Sequence, residues 1–368
     1  MNKKTLKEID VSNKKVLVRV DFNVSLSNSQ VVDDTRISQT VPTIEYLLKN
    51  HCTVLLLSHL GRPGGKRVKE LSLKPMAGYL EKILNRPVNF VEEYVDKDEA
   101  ASKIRDGQVN LLENVRFYPG EEVNDTEFSR KLAELADVYI NDAFGVDHRV
   151  QASLVGITRF LPAGAGLLLE KEVEVIGQLM VEPKRPFIAI IGGAKMETKI
   201  GAMEKLIDKT DEMLVGGAVG NTFMAVDGAK MGQSLIEEKM LETAKRLMKT
   251  GKILIPSDGV WANNRILDIG PKTQAEFGAR IAKAATIIWT GPMGMFEDPV
   301  FKQGTDFIYQ AIAANQKSLS IVGGGETLAA LTGKDLMTVF DHVSTGGGAM
   351  LEFIEKGTLP GIEVLMDK

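Results

Sequence analysis

Short, almost wholly apolar segments alternate with helical segments along this chain, and that alternation limits the folds open to it. Strands that are apolar on both faces and separated by helices are typical of a parallel sheet covered by helices on both sides. We therefore predict an α/β protein. The predicted strands are Val16–Val20, Val54–Leu57, Val88–Val91, Asn110–Leu112, Val138–Ile140, Phe187–Ile191, Met213–Val215, Ile253–Ile255, Ile287–Trp289 and Leu319–Val322. The predicted helices include Val41–Lys49, Lys74–Leu84, Phe128–Leu135, Ile200–Ile207, Glu237–Leu247 and Phe307–Ala313.

The length of 368 residues is too great for one ordinary core and favours a division into two domains. A chain breaker, Leu161–Gly166, and a helix that is apolar on one face, Leu167–Met180, separate the two sets of strands. We predict two Rossmann-like, doubly wound parallel-sheet domains joined by this connector helix, with a hinge at the breaker and at the helix ends. The predicted boundaries are 1–165 for the first domain, 166–181 for the connector, 182–350 for the second domain and 351–368 for a tail. A helix over Ala349–Lys356 leads to a Leu-Pro-Gly turn, and the sequence leaves open which domain the tail packs on.

Composition excludes several classes of function. The net charge of -4 gives no support for general nucleic-acid binding. No apolar run reaches the roughly 18 residues that a membrane helix needs, and the first ten residues lack the apolar core of a signal peptide. The single cysteine, Cys52, excludes an intrachain disulfide and a cysteine-based zinc cluster. We expect a soluble cytoplasmic protein that associates with neither membrane nor nucleic acid.

In the first half, the predicted strands run into cationic side chains. The cationic residues at or just after these strand ends are Arg36, His59, Arg62, Arg116 and Arg149. Ligands of open α/β sheets bind beyond the carboxyl ends of the strands, and the planar fork of arginine suits phosphate and carboxylate groups. Asp21 and Asn23 follow the first strand. One interpretation is that both bind a hydroxyl group of the ligand; the other is that Asp21 only orients a neighbouring arginine.

In the second half, the predicted strands run into glycine clusters. Gly323–Gly325 and Gly346–Gly348 each follow a strand and lead into a helical pattern, so backbone N–H groups can meet a phosphate there. Lys195 and Lys199, which follow another glycine pair, are spaced by one helical turn and are expected to point at the same anion. The chain contains neither a P-loop motif nor the dinucleotide fingerprint Gly-x-Gly-x-x-Gly after a strand, which argues against a nicotinamide-dependent dehydrogenase. A cationic site in one half and a nucleotide-type site in the other favour a phosphoryl-transfer enzyme.

These motifs, taken in order, resemble the phosphoglycerate kinase family along nearly the whole chain. The matching segments are Arg19–Val24, Asp33–Ile37, Ser58–Pro63, Leu111–Phe117, Asn141–Gly145, Gly192–Lys195, Asp268–Thr273, Gly291–Glu297, Gly323–Thr327 and Ser344–Ala349. The resemblance implies a hinge-bending glycolytic kinase, usually monomeric, that transfers phosphate reversibly between ATP and 3-phosphoglycerate. It implies that 3-phosphoglycerate binds the first domain and that ATP or ADP with Mg²⁺ binds the second.

The resemblance also implies a role for individual residues. The substrate-binding residues would be Asp21, Phe22, Asn23, Arg36, His59, Leu60, Gly61, Arg62, Arg116 and Arg149. The nucleotide-binding residues would be Gly193, Lys195, Lys199, Gly217, Pro292, Glu297, Gly323, Gly324, Gly325, Glu326 and Thr327. Among them, Arg36, Lys195 and Lys199 would be catalytic, Glu297 would bind the ribose, and Glu326 would face the metal. The acceptor carboxylate is already ionised at pH 7, so the reaction needs no general base.

Some positions depart from the family pattern. Glu326 stands where the family usually has aspartate, and its longer side chain affects how a Mg²⁺ ion can be held. The other departures are Ser25 for proline, Gln151 for a second histidine, Thr198 for aspartate, Ala218 for glycine and Thr290 for asparagine. Because no assigned arginine or lysine is lost, we expect an active kinase. The alternative is a catalytically weak relative that serves as a nucleotide-binding or scaffold protein.

Overall fold

The computed structural model describes residues 1–24, 26–27, 30–95 and 102–368, so Ser25 lies outside the described residues. The chain forms two compact units, which we call unit 1 (Met1–Glu174 with Thr358–Lys368) and unit 2 (Val175–Gly357). The chain passes from unit 1 to unit 2 between Glu174 and Val175, inside the helix that the sequence predicted as the connector over residues 166–181. The tail from Thr358 belongs to unit 1, which settles the point that the sequence left open.

Unit 1 is built on a six-stranded parallel sheet with the strand order β5-β6-β4-β1-β7-β8. Its strands are β1 (Lys15–Val20), β4 (Thr53–Leu57), β5 (Val88–Val91), β6 (Val109–Leu112), β7 (Val138–Asp142) and β8 (Ala163–Ala165). A small antiparallel hairpin, β2 (Leu26–Ser27) with β3 (Gln30–Val31), precedes the first helix. The central strands are buried over nearly their full length, which explains why the sequence reads as short apolar runs.

The helices of unit 1 all bury apolar residues. They are α1 (Thr35–Lys49), α2 (Lys74–Leu84), α3 (Thr126–Ala133), the first part of α4 (Leu167–Val181) and α13 (Pro360–Glu363) in the tail. Helix α1 begins at Thr35, about 1.7 turns before the predicted start at Val41, because polar residues fill much of its first turns. This early start puts Arg36 in the first helical turn. The predicted Leu-Pro-Gly turn is instead the start of α13, where proline occupies the first helical position.

The segment Leu161–Gly166, predicted as a chain breaker, contains the edge strand β8, so that prediction was wrong. Small residues are required there because the N-terminal segment passes close by. A Cβ atom on Gly164 would lie 2.3 Å from Ile9 Cδ1 and 3.1 Å from the Lys4 carbonyl oxygen. The Ala-Gly-Ala string therefore reflects close packing of β8 against the N-terminal segment and not a flexible link.

Unit 2 repeats the scheme with a second six-stranded parallel sheet in the order β11-β10-β9-β14-β15-β16. Its strands are β9 (Phe187–Ile191), β10 (Glu212–Val215), β11 (Ile253–Leu254), β14 (Thr286–Thr290), β15 (Leu319–Gly323) and β16 (His342–Val343). A separate antiparallel hairpin pairs β12 (Gly259–Ala262) with β13 (Arg265–Ile269). Its remaining helices are α5 (Ile200–Lys209), α6 (Gly217–Val226), α7 (Leu241–Met248), α8 (Pro271–Ile281), α9 (Gln303–Ala314), α10 (Gly325–Ala330), α11 (Leu336–Val339) and α12 (Gly348–Lys356). Two doubly wound α/β domains are therefore confirmed. Within the described residues, no helix combines the length and the apolar character that crossing a membrane requires.

Candidate active site

The predicted substrate-binding residues of unit 1 follow four neighbouring strands of its sheet. Asp21 and Asn23 come after β1, His59 to Arg62 after β4, Arg116 after β6 and Arg149 after β7. Because all these strands are parallel, their carboxyl ends lie along one edge of the sheet. Arg36 reaches the same edge from the first turn of α1, where its Nη1 donates to Asp21 Oδ2 at 2.8 Å and to the Asn23 carbonyl oxygen at 3.3 Å.

Gly61 links three of these strand-end loops through its backbone. Its N–H donates to Asn23 Oδ1 at 2.9 Å, and its carbonyl oxygen accepts from Arg116 Nη1 at 2.8 Å. The residue has a φ of +62°, which lies in the left-handed region that glycine adopts without strain. Gly61 therefore fixes the loop after β4 against the loops after β1 and β6.

Some buried guanidinium nitrogen atoms at this edge lack a hydrogen-bond acceptor among the described residues. Arg116 is only 2% exposed, and its Nε and Nη2 atoms make no hydrogen bond within the described part of the chain; the same holds for Arg149 Nε. The nearest carboxylate to Arg116 is that of Glu122, with Oε1 3.7 Å from Nε. Burial, helped by the charges of Arg19 and Arg149, lowers the pKa of Arg116 to about 10. Buried N–H donors without an acceptor are costly, so this arrangement suits an anionic ligand that would supply the missing acceptors.

His59 is buried among these arginines and is neutral. Burial, together with the charges of Arg19, Arg116, Arg36 and Arg149, holds the pKa of its imidazole well below the ordinary value of 6.5. Its Nδ1 lies 3.4 Å from Arg19 Nη2 and 3.8 Å from Asp21 Oδ1. Since a guanidinium only donates, Nδ1 is the acceptor and the proton is on Nε2. His59 therefore offers one N–H donor to a ligand without adding charge.

Sequence reasoning missed a buried hydrogen-bond network next to this edge, formed by Arg19, Ser153 and Glu121. Arg19, inside β1, is fully buried and donates from Nε to Ser153 Oγ at 2.9 Å. Ser153 in turn donates from Oγ to Glu121 Oε1 at 2.6 Å, and its N–H donates to Glu121 Oε2 at 2.9 Å. Burial raises the pKa of Glu121, while Arg19 acts against that rise. One sequence signal could have revealed this network: Arg19 is the single charged residue within the otherwise apolar predicted strand Val16–Val20.

Not every residue assigned to the substrate presents a side chain to it. Phe22 and Leu60 pack in the hydrophobic core of unit 1, so only their backbone could meet a ligand. The Phe22 N–H already donates to Ser58 Oγ, and the Leu60 carbonyl oxygen accepts from Asn114 Nδ2. Arg62 is exposed. The motif placed Phe22 and Leu60 beside the site because they are sequence neighbours of residues that do reach it.

A cavity of about 620 Å³ opens at the corresponding sheet edge of unit 2. Its lining includes the predicted residues Gly193, Gly217, Pro292, Glu297 and Glu326, which follow β9, β10, β14 and β15. Backbone hydrogen bonds tie these loops together: Gly193 N–H donates to the Pro292 carbonyl oxygen at 2.8 Å, and Gly217 N–H donates to that of Met293 at 2.9 Å. The cavity has the size range of small-molecule sites.

Lys195 and Lys199 do not lie on one helix, so the expected helical spacing was wrong. Helix α5 begins at Ile200, and Lys199 is the residue that precedes it. Lys195 is exposed, whereas Lys199 is buried, with its Nζ 3.8 Å from Glu326 Oε2 and 3.5 Å from the Lys195 carbonyl oxygen. Burial lowers the pKa of Lys199, while Glu326 and Glu237 act to raise it. The turn before α5 brings Lys199, and not Lys195, to the glycine cluster.

The Gly323–Thr327 turn has the predicted form of a strand that leads directly into a helix. Thr327 is buried; its Oγ donates to the Gly323 carbonyl oxygen at 2.9 Å and accepts from Gly291 N–H at 2.7 Å. Gly324 has a φ of +100°, and a Cβ there would lie 2.7 Å from Thr290 Oγ1. Thr290, one of the departures from the family pattern, thus packs against this turn at the end of β14.

The other departures occupy different surroundings. Thr198 is exposed and donates from Oγ1 to the Lys195 carbonyl oxygen at 2.9 Å, while Ala218 lines the cavity of unit 2. Gln151 is buried in unit 1, and its Oε1 has no hydrogen-bond partner among the residues that the structure describes. No group of three or more His, Cys, Asp or Glu side chains suited to a metal ion occurs among the described residues.

Comparisons with known proteins agree with this architecture. Residues 6–357 match the family model described as phosphoglycerate kinase. Phosphoglycerate kinases of Moorella thermoacetica and Dictyoglomus turgidum are each 45% identical to the chain, with both proteins covered over their full length. Among solved structures, phosphoglycerate kinase from Coxiella burnetii is 38% identical with a TM-score of 0.85, and that from Pyrococcus horikoshii is 30% identical with a TM-score of 0.86; each comparison covers 98% of both chains. By this likeness in sequence and fold along its whole length, the chain belongs to the phosphoglycerate kinase family.

Proposed function

We propose that the chain catalyses reversible phosphoryl transfer between ATP and 3-phospho-D-glycerate, giving ADP and 1,3-bisphosphoglycerate. The observation that carries this proposal is the set of buried guanidinium nitrogen atoms of Arg116 and Arg149 that lack a hydrogen-bond acceptor among the described residues, beside the neutral His59. Such a site favours a small ligand with more than one negative charge, as phosphate and carboxylate on one three-carbon acid would provide.

The reacting carboxylate is ionised at neutral pH, so the protein's contribution is to position it and to stabilise charge on the transferring group. We assign Arg36 to this role on unit 1, because its guanidinium is fixed by Asp21 and the Asn23 backbone and remains partly exposed. Arg116, Arg149, Arg62 and His59 then bind the acid substrate, with Asp21, Asn23 and Gly61 holding the loops in register.

On unit 2, we assign the cavity to ATP or ADP. Gly193 and Gly217 line the cavity together with Glu326 of the Gly323–Thr327 turn, and glycines at these positions would let phosphate groups approach backbone N–H groups closely. Lys199 supplies a buried positive charge beside Gly193, whereas Lys195 is exposed and would have to move to reach the phosphates. We assign Glu297, an exposed residue that lines the cavity, to the ribose hydroxyls.

A Mg²⁺ ion fits this chain only as a nucleotide-borne ion. Mg²⁺ in phosphoryl-transfer sites is commonly bound by one or two carboxylates, substrate phosphates and water, so a multi-carboxylate cluster is not required. Glu326, a half-exposed carboxylate that lines the cavity, would be its protein ligand. When bound, the ion would offset negative charge on the phosphates.

The proposal is tested by a coupled assay of the wild-type protein with ATP, Mg²⁺ and 3-phosphoglycerate. We expect formation of ADP that depends on 3-phosphoglycerate, and the reverse reaction with 1,3-bisphosphoglycerate and ADP. Nucleotide binding without turnover would instead support the catalytically weak relative considered from the sequence. We further propose that the protein works as a monomer in the cytoplasm, which sedimentation with and without substrates and cell fractionation would test.

A further inference from the structure

The carboxylate of Glu326 and the ammonium group of Lys199 lie together above Gly193 in unit 2. Glu326 Oε2 is 3.8 Å from Lys199 Nζ. A Cβ atom added to Gly193 would lie 2.7 Å from that Oε2 and 3.1 Å from that Nζ. The two charged atoms therefore occupy the space that the absence of a side chain at Gly193 leaves open.

Glu326 is the acid that partners Lys199 here. Glu237 also acts on Lys199 through its charge, but its two carboxylate oxygens accept hydrogen bonds from the backbone N–H groups of Met196 and Glu197. The Glu326 side chain is 53% exposed, whereas the Lys199 side chain is 8% exposed. The carboxylate therefore has open space into which it could turn, and the ammonium group does not.

The length of the Glu326 side chain makes this pairing possible. An aspartate on the same backbone would place its carboxylate about 1.5 Å farther back, the length of one carbon–carbon bond. Because the pair is already 3.8 Å long, close to the limit of about 4 Å for an ion pair, we expect the shorter acid to weaken it. The replacement of the family's usual aspartate by glutamate thus has a direct structural result.

We propose that Glu326 is an internal counter-ion of Lys199 that makes this site discriminate between metal-free and metal-bound nucleotide. The proposal rests on the proposed function, since it assigns the phosphates to Gly193 and Lys199. A metal-free diphosphate meets the carboxylate as a like charge and must displace it from Lys199. A diphosphate that carries a divalent cation gives the carboxylate a new partner, so Lys199 is released for the phosphates.

The test is titration calorimetry of ADP into the intact protein, first with EDTA and then with Mg²⁺, for the wild type, Glu326→Gln and Glu326→Asp. With EDTA, we expect Glu326→Gln to bind ADP about two- to fivefold more tightly than the wild type, the range expected for removal of a partly exposed ion pair. With Mg²⁺, we expect the gain to disappear or reverse. Glu326→Asp should share the gain with EDTA and keep the benefit of Mg²⁺.

The matched control is Glu276→Gln. Glu276 forms an exposed ion pair with Lys272, with 4.0 Å between the charged atoms, and neither residue lines the cavity. This variant should leave ADP affinity unchanged in both conditions. The proposal is overturned if Glu326→Gln binds metal-free ADP no more tightly than the wild type, or if no variant binds ADP at all. Wild-type turnover with 3-phosphoglycerate decides the proposed function separately, because an enzyme that turns over can still fail this binding test.

Discussion

Arg36 combines two properties that are seldom found in one surface arginine. Asp21 and the Asn23 backbone hold its Nη1, yet its side chain remains 27% exposed. Among the described residues, both of its hydrogen bonds use Nη1, so the other N–H groups of the guanidinium are available to a ligand. A fixed but accessible donor of this kind can stabilise charge that develops during the reaction, because it needs no reorganisation at that moment.

For Arg36→Ala, we expect kcat to fall by at least about a hundredfold, by analogy with the loss of one preorganised donor. The measurement is steady-state kinetics with 3-phosphoglycerate as the varied substrate. Arg130→Ala is the control, because Arg130 forms only exposed ion pairs, with Glu127 and Glu134, on α3 of the same unit. If KM rises while kcat is unchanged, Arg36 serves substrate binding alone.

Asp147 is a buried acid whose charge the fold disfavours. Its Oδ1 accepts from Asn141 Nδ2 at 2.8 Å, while its Oδ2 has no hydrogen-bond partner in the part of the chain that the structure describes. Burial raises the pKa of Asp147 from 3.8 to about 7. The native state therefore keeps a proton that the unfolded state releases near pH 3.8, so this stabilising contribution is complete below that pH and is lost as pH rises through about 7.

Asp147→Asn keeps the Oδ1 acceptor and removes the charge. We therefore expect the variant to gain stability relative to the wild type at pH 8, by on the order of 1 to 4 kcal/mol, and to gain much less at pH 5. Urea unfolding of both proteins at the two pH values measures the difference. The exposed Asp106→Asn is the control. An equal effect of Asp147→Asn at both pH values would mean that Asp147 titrates normally in the folded protein.

At the scale of secondary-structure elements, the strand ends carry the site. The sequence predicted most strands and both glycine turns, because buried parallel strands are apolar and their functional residues follow directly in the chain. It could not reveal that Arg19, inside β1, supports His59, since strand periodicity does not show which buried position tolerates a charge. It also misjudged the two lysines, because the backbone between Gly193 and Ile200 is a turn whose course depends on tertiary packing.

Gly193 shows how one turn controls the cavity. Its φ is +89°, and a Cβ would meet Glu326 and Lys199. Gly228 has the same φ of +89°, but a Cβ there would meet open space, so Gly228→Ala is a control for backbone strain alone. We expect both alanine variants to lose a similar amount of stability, about 1 to 2 kcal/mol, and only Gly193→Ala to lose ADP affinity, by at least about tenfold.

Thermal unfolding and calorimetric titration of Mg²⁺–ADP measure these two effects. Equal ADP affinities in the two variants would show that the space above Gly193 is not where the nucleotide binds. That result would also remove the reason for assigning phosphates to this part of the cavity.

For the whole molecule, we propose that the substrates bind to separate units and must be brought together for transfer. The hinge cannot be at Ala163–Ala165, because these residues belong to the sheet of unit 1. We assign it instead to the two places where the chain passes between units, at Glu174 to Val175 within α4 and at Gly357 to Thr358. Gly357 has a φ of +78°, a conformation that glycine adopts freely.

Solution X-ray scattering tests this proposal. We expect the radius of gyration to be smaller with both substrates present than with 3-phosphoglycerate or Mg²⁺–ATP alone, because only the ternary complex needs closure. A nonhydrolysable ATP analogue keeps the ternary complex from turning over. Identical scattering curves in all states would show that catalysis does not depend on such a movement.

The return of the tail to unit 1 has a consequence for how a newly made chain folds on the ribosome. In the tail, Met366 N–H donates to the Ala163 carbonyl oxygen of edge strand β8, and its carbonyl oxygen accepts from Lys4 N–H. Unit 2, by contrast, is one uninterrupted stretch of chain. Translation delivers residues 358–368 after all of unit 2, so the unit that begins to emerge first is the last to have all its parts. A nascent chain halted at residue 357 would contain every residue of unit 2. Edge strand β8 of unit 1 would still lack the hydrogen bond that Met366 N–H donates to Ala163.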